Sequence, residues 1–277
     1  MNHPRTPADR KPTRLDVEPL DDRTVPAPLS AAQPLFGYAT FADPTQLALN
    51  GSAKLSGGAL RLTDAAGQAG SAYLRAPLAV DAGTSFATSF AFQLAGGTGG
   101  ADGLTFVLQN SDRGTTAVGW VGGSLGYEGR VTKSLAVDFD TFKGTGDATD
   151  NDVSVLINGN VTAPLATAPA PVDLNGGQTV YAWVEYDGVS DLLSVYVSGT
   201  GTKPTTPTLV RSADLANLVG AQAYAGFTGG TGGLFNVQDV LGWQMASSSP
   251  LVPAAPPPPP PPPSPPPPPP ANPGTIG

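Results

Sequence analysis

The chain has 277 residues, 14 Lys+Arg against 22 Asp+Glu, a formal net charge of −8, no cysteine and a single histidine, His3. Without cysteine there is no disulfide framework, thiolate zinc site or thiol nucleophile, and one histidine at the third position leaves no imidazole for an interior triad or metal site. Several of the basic residues stand in the first 23 positions and no interior Lys/Arg cluster exists to neutralise phosphates, which argues against nucleic acid. Carboxylates, carbonyls, hydroxyls and aromatic faces must carry the chemistry, a set that suits hard cations.

Residues 1–32 are polar, rich in Arg, Asp and Pro, and read as a disordered leader. They lack the apolar core of a secretory signal. No run of 18 apolar residues occurs anywhere, so no membrane-spanning helix is expected. Residues 33–249 suffice for one sizeable core. Within them, β-rich or alternating runs recur at 59–63, 85–94, 104–109, 134–139, 153–157, 179–186, 192–197, 224–228 and 237–245, separated by Gly, Asp, Asn and Pro turns. The 180–186 run alternates with period two, and Asp187-Gly188 opens a hairpin turn. A short helical stretch fits 213–219. The pattern predicts an all-β fold of two antiparallel sheets packed face to face. Residues 250–277 hold 17 of the chain's 31 prolines, and such a run forms an extended polyproline II rod, a spacer with no core of its own.

The run Leu135-Ala-Val-Asp-Phe-Asp-Thr-Phe142 carries the most chemistry. In a strand, residues i and i+2 share a face, so Asp138 and Asp140 point together while Val137 and Phe139 point the other way. Two neighbouring carboxylates repel unless a cation neutralises them or one stays protonated. Asp147, Asp150, Asn151 and Asp152 follow in an acidic loop before a returning strand. A strand, an acidic loop and a second strand gather oxygens around one point, as Ca²⁺ requires.

Four motifs in order then resemble those of the legume-type (L-type) lectin domain, in its bacterial version. They are Ala101-Asp-Gly-Leu-Thr-Phe-Val-Leu-Gln109; Gly122-Gly-Ser-Leu-Gly-Tyr127; 135–142 with the acidic loop and Val153-Ser-Val-Leu-Ile-Asn-Gly159; and the hairpin from Trp183 to Val197. Ala225-Gly-Phe-Thr-Gly-Gly-Thr-Gly-Gly233 and Val240-Leu-Gly-Trp243 close the set. The resemblance implies a concanavalin A-like jelly-roll sandwich with a flat back sheet, a curved front sheet and a sugar site in loops above the front sheet. It implies that a cis peptide precedes Asp102, whose carboxylate accepts hydrogen bonds from two sugar hydroxyls. Gly123 would give a backbone N–H, the loop with Gly230, Thr231 and Gly232 would close one side, and the Phe142 ring would cover the sugar's apolar face. It further implies Ca²⁺ at Asp140, the Phe142 carbonyl and Asp147, and a second divalent metal at Asp138, Asp140, Asp147 and Asp152.

Three positions depart from the family pattern. Gly144 stands where the family has an asparagine that serves both calcium and sugar. Asp138 replaces a glutamate, and Asp152 a histidine. An all-carboxylate second site favours Ca²⁺ or Mg²⁺ over Mn²⁺. The expected function is calcium-dependent, non-catalytic binding of a glycan or polysaccharide, with oligomers forming through the back sheet. Residues 14–26 resemble a short N-terminal motif of surface and exported proteins in one bacterial phylum, which points to an extracellular or cell-surface location. Two alternatives stand beside this reading. One is an adhesion or structural module that keeps the fold without sugar binding. The other is a glycoside hydrolase of the same sandwich, for which Asp138 and Asp140 would have to act as the carboxylate pair.

Overall fold

Period-two burial shapes the back sheet, whose long central strands alternate buried and half-buried residues. A computed structural model describes residues 33–43, 45–144 and 149–248. The expected leader 1–32, the tail 250–277 and Asp147 lie outside the described residues.

The strands in chain order are β1 (Gln33–Tyr38), β2 (Leu47–Gly51), β3 (Lys54–Ser56), β4 (Ala59–Thr63), β5 (Ala69–Leu74), β6 (Leu78–Ala79), β7 (Phe86–Thr98) and β8 (Gly103–Gln109). They continue with β9 (Ser134–Asp140), β10 (Asp152–Ile157), β11 (Ala166–Pro169), β12 (Val180–Asp187), β13 (Leu192–Ser198), β14 (Leu209–Ser212), β15 (Gln222–Gly230) and β16 (Phe235–Ser247). The one α-helix among the described residues, α1 (Leu215–Val219), is capped by Asp214, whose carboxylate accepts the Asn217 N–H. It falls inside the expected helical stretch.

The strands form two antiparallel sheets. The back sheet runs β14-β13-β12-β7-β16-β4-β3, with β1 also on β16; the front sheet runs β11-β10-β9-β8-β15-β5-β2, with β6 also on β15. This is the expected all-β sandwich. β12 alternates buried and half-buried along its whole length, as a strand with one wet face should. Phe90 and Trp243 from the back sheet meet Phe106, Phe139 and Phe227 from the front sheet. The Phe90–Phe227 ring centroids lie 5.0 Å apart and those of Phe227 and Trp243 4.9 Å apart, both edge to face, the geometry that aromatic quadrupoles favour.

The front sheet is covered on both sides, and this positions the site. A second buried cluster joins Tyr73, Val107, Ala136 and Leu156 on its outer face to Ala117, Leu125, Tyr127 and Val131 of the long β8–β9 connection. The Tyr127 hydroxyl shares a 2.8 Å hydrogen bond with Ser134, which pins that connection over the sheet. β8 is consequently buried at every position. The remainder of this outer face, beyond the covering segment, is where the acidic residues emerge.

Candidate functional site

Strand pairing brings together what the sequence separates. Asp140 stands opposite Asp152 across β9 and β10, and Asp138 opposite Ser154. Directly opposed side chains in such a pair have Cβ atoms about 4.5–5.5 Å apart, and like charges there are destabilising. Three carboxylates thus share one patch of the outer face, with Asp138 and Asp152 buried and Asp140 half-buried. Val137 and Phe139 face the core, as the period-two reading requires. The Asp140 Oδ1 accepts the Phe142 N–H at 2.8 Å, and Asp152 Oδ2 accepts the Thr149 N–H at 3.3 Å.

These groups open onto a hollow of roughly 530 Å³ lined by Gly123, Asp138, Asp140, Phe142, Gly144 and Asp152 together. Six of the residues singled out from sequence therefore converge. The hollow also includes Ser154 and Thr167, whose hydroxyls share a 2.7 Å hydrogen bond, and Glu128, which accepts from Ser124 at 2.7 Å. Sequence reasoning did not pick out these three: Ser154 and Thr167 meet only by cross-strand position, and Glu128 arrives from the β8–β9 connection. Among the described residues, no three acidic or His side chains cluster closely enough to hold a metal ion. The chemistry of the donor set, carboxylates without imidazole or thiolate, still fits a hard cation.

Asp102 lies beside this hollow. Its peptide bond to Ala101 is cis, as the resemblance implied. Its N–H donates to the Gly230 carbonyl at 3.1 Å and its carbonyl accepts the Thr141 N–H at 3.0 Å, so the residue is tied both to the β15 end and to the acidic loop. The side chain is only 5% exposed, and its Oδ2 has no hydrogen-bond partner among the described residues. Burial pushes its carboxyl up to about 6, with the Gly232 backbone N–H pulling the other way.

Glycines from two loops frame that carboxylate. A Cβ placed on Gly123 would stand 4.0 Å from Oδ1, and one on Gly232 would stand 3.5 Å from Oδ2. Both contacts are of ordinary van der Waals length, so any side chain there would screen the acid. The two loops are fastened to each other by the Gly122 N–H donating to the Thr231 carbonyl at 2.9 Å. Gly230 packs closer still: a Cβ there would come within 2.7 Å of the Gly122 carbonyl oxygen and 2.8 Å of the Leu125 Cα.

Thr231 is placed differently from its neighbours. It is fully buried, and its hydroxyl donates to the Ala65 carbonyl at 2.7 Å while accepting the Gln68 N–H at 3.0 Å. It anchors the loop from behind. Phe142 is 38% exposed, so its ring is available at the mouth of the hollow. Gly144 is exposed on the same rim and offers only backbone.

Residues 33–259 match the legume lectin domain family model. Among curated proteins, the chain is 33% identical over 177 residues to the L-type lectin-domain containing receptor kinase VIII.1 of Arabidopsis thaliana, covering 60% of this chain and 24% of that protein. It is 30% identical over 240 residues to receptor kinase I.7 of the same plant, covering 79% and 36%. The chain thus spans only about a quarter to a third of the curated relatives it matches. Among solved structures, the lectin from Bauhinia forficata in complex with GalNAc aligns with a TM-score of 0.66 at 25% identity, covering 78% of this chain and 99% of the lectin. The basic winged bean lectin with Tn-antigen aligns at 0.67 and 25%, covering 78% and 98%. Arcelin-5, a lectin-like defense protein from Phaseolus vulgaris, aligns at 0.65 and 22%, covering 77% and 97%, and shares the fold. These relatives are plant proteins, and the narrower expectation of a bacterial version is not borne out by them.

Proposed function

The chain belongs to the legume lectin domain family, and on that footing we propose that it is a non-catalytic, calcium-dependent carbohydrate-binding protein acting outside the cell. Asp102 carries the reading. It is a buried carboxylate with an oxygen unpartnered among the described residues, framed by backbone alone at Gly123 and Gly232. A buried acceptor left without a partner costs about 1–3 kcal/mol, and a pair of vicinal sugar hydroxyls supplies the missing donors. Gly123 contributes a backbone N–H, and the exposed Phe142 ring covers the apolar face of the sugar. Gly230 and Thr231 hold the opposing loop in place, and Gly144 leaves room at the rim where a larger side chain would project.

Asp140, the Phe142 carbonyl and Asp147 would hold Ca²⁺, and Asp138, Asp140, Asp147 and Asp152 a second hard cation. Bound cations would neutralise the carboxylates that strand pairing brings together beside Asp102. The catalytic alternative is disfavoured by geometry. A glycosidase pair flanks the scissile bond from two sides, whereas Asp138 and Asp140 are side by side on one strand. Glu185 lies on the other sheet in an ion pair with Lys203 at 2.6 Å. The two glycan-bound lectin structures, the relatives' description as receptor kinases and the export-like leader support a glycan ligand and an extracellular place. The division into a leader (1–32), a lectin domain (33–249) and a proline-rich spacer (250–277) is part of the same proposal.

A glycan array probed with and without calcium tests the reading. Calcium-dependent hits that vanish in Asp102→Ala, with the melting temperature retained, are expected. Silence across a broad array, or hits indifferent to Asp102, would sink it and favour an adhesion module without sugar binding. Gly144 gives that second reading its support, since it supplies no side-chain amide to the hollow.

A further inference from the structure

The outer face of the back sheet has a relief that sugar and metal binding do not use. Strand register sets it. Trp183 stands opposite Ser89, and Ser89 opposite Gln244; one step along, Tyr181 stands opposite Ala91, and Ala91 opposite Gly242. Rings on β12 therefore rise beside a floor made by Ser89 and Ala91 of β7 and Gly242 and Gln244 of β16. The result is a trough of two hollows, about 460 and 280 Å³, that share Ser89, Trp183 and Gln244. Tyr181 and Trp183 stack at 6.4 Å with an interplanar angle of 23°, forming one continuous wall.

The wall has unused donors. Among the described residues, the Trp183 indole N–H and the Tyr181 hydroxyl make no hydrogen bond, in contrast to the buried Trp243, whose Nε1 donates to Thr88 at 2.9 Å. The one charged residue among those described that line the two hollows, Glu185, is paired with Lys203 at 2.6 Å, and a ring-walled trough with free donors is the surface that polyproline II recognises. Its pyrrolidine rings lie flat on aromatic faces, and its carbonyls, unpaired within the helix, accept from an indole or phenol. The chain itself supplies such a segment. Residues 250–277 contain no charged side chain, and 256–263 are eight consecutive prolines.

The distances are compatible. The trough follows β16 from Ala246 to Gly242, about 13 Å at strand rise, which four or five residues of polyproline II cover at about 3.1 Å each. β16 ends at Ser247, beside the mouth of the trough. The seven residues 249–255 reach roughly 23 Å when extended, enough to reverse direction. We propose that the proline run 256–263 docks intramolecularly in the trough between Trp183 and the Gln244–Gly242 stretch of β16. The back sheet would then be capped by the chain's own tail, and an oligomer through the same face would have to displace it.

Because the chain has no cysteine, Ser264→Cys gives a unique site for a nitroxide between the two proline runs. In the 277-residue chain, the backbone amides of Ala87, Ser89, Ala91 and Trp183 are expected to lose most of their NMR intensity relative to the reduced label. The loss should persist when the labelled chain is diluted into excess unlabelled chain of natural isotope content. Trp183→Ala and, separately, Ala91→Arg should each restore the signals, with front-sheet amides such as that of Thr228 unmoved to show that the fold is intact. Absence of broadening on this face would overturn the proposal. So would broadening that disappears on dilution, which identifies a second copy as the occupant, or broadening that survives both variants.

Discussion

Gly230 and Gly232 are two residues apart, yet an added methyl group should have opposite consequences at each. In Gly230→Ala the new Cβ meets backbone on every side: the Gly122 oxygen at 2.7 Å, the Leu125 Cα at 2.8 Å and the Gly126 nitrogen at 3.0 Å. Backbone cannot rotate away, so the 122–126 loop must shift by about half an ångström or more. Overpacking of this kind costs about 1–3 kcal/mol. For a domain of this size each kcal/mol lowers Tm by about 2–4 °C, so a drop of roughly 2–12 °C is expected. In Gly232→Ala the nearest atoms are Asp102 Oδ2 at 3.5 Å and the Gly122 Cα at 3.6 Å, ordinary contacts that leave the fold unstrained. The methyl instead stands over the carboxylate. Scanning calorimetry with glycan binding in parallel separates the two. Gly230→Ala should lose stability, and Gly232→Ala should keep Tm and lose binding. An unchanged Tm in Gly230→Ala, or an equal drop in both variants, would refute the placement of these loops.

Other outcomes follow from the same atoms. Burial raises the Asp102 carboxyl from 3.8 to about 6. A raised folded-state pKa gives stability that is fully present below about 3.8 and lost as pH rises through about 6. In the metal-free chain, acidification from pH 6 to pH 4 should therefore raise the contribution of this group, and Asp102→Asn should flatten that part of a urea-stability profile. Sugar binding should run the opposite way, falling below pH 6 as the acceptor takes up its proton. Arg61 grips Asp239 with two 2.8 Å hydrogen bonds at a half-buried site. Arg61→Ala should cost about 1.5–3 kcal/mol in urea unfolding, and pairing it with Asp239→Asn should recover part of the loss. Thr88→Val strands the buried Trp243 indole N–H and should cost about 1–3 kcal/mol, with a change in Trp243 fluorescence as an independent readout.

Two kinds of strand were legible in the sequence: those with one wet face, from alternation, and β8, β9 and β10, buried almost throughout, from short β-rich runs between turn residues. β12 and the long β7 bury every second residue, which is the periodicity a sequence displays, whereas the Asp138/Asp140 pair on β9 was legible from its i, i+2 spacing alone. β5, with the sequence AGSAYL, was not read as a strand. It is buried on both faces beneath the β8–β9 connection, and tight packing there selects small residues with little β preference. A Cβ on Gly226 of the neighbouring strand would come within 2.0 Å of the Ala72 oxygen, which shows how little room remains. β11 was hidden for another reason: a four-residue edge strand ending in proline, ATAP, carries no periodicity to detect. Within the site, the carboxylates were legible from spacing, and Asp102 only from resemblance. The inward turn of Thr231 depends on Ala65 and Gln68, more than 160 positions away in the chain, and a linear pattern holds no trace of it.

The place of β16 in the back sheet has a temporal side. It pairs with β7, β4 and β1, yet among the described strands it is the last to be made. Until Phe235–Ser247 has left the ribosome, β7 has an open edge toward the centre of the sheet and Trp243 is missing from the aromatic core. Folding dominated by such long-range pairing is slow and leaves strand edges exposed to aggregation. The nascent chain must therefore hold more than two hundred residues in waiting, and a ribosome stalled anywhere before Ser247 releases a product that cannot close its sandwich.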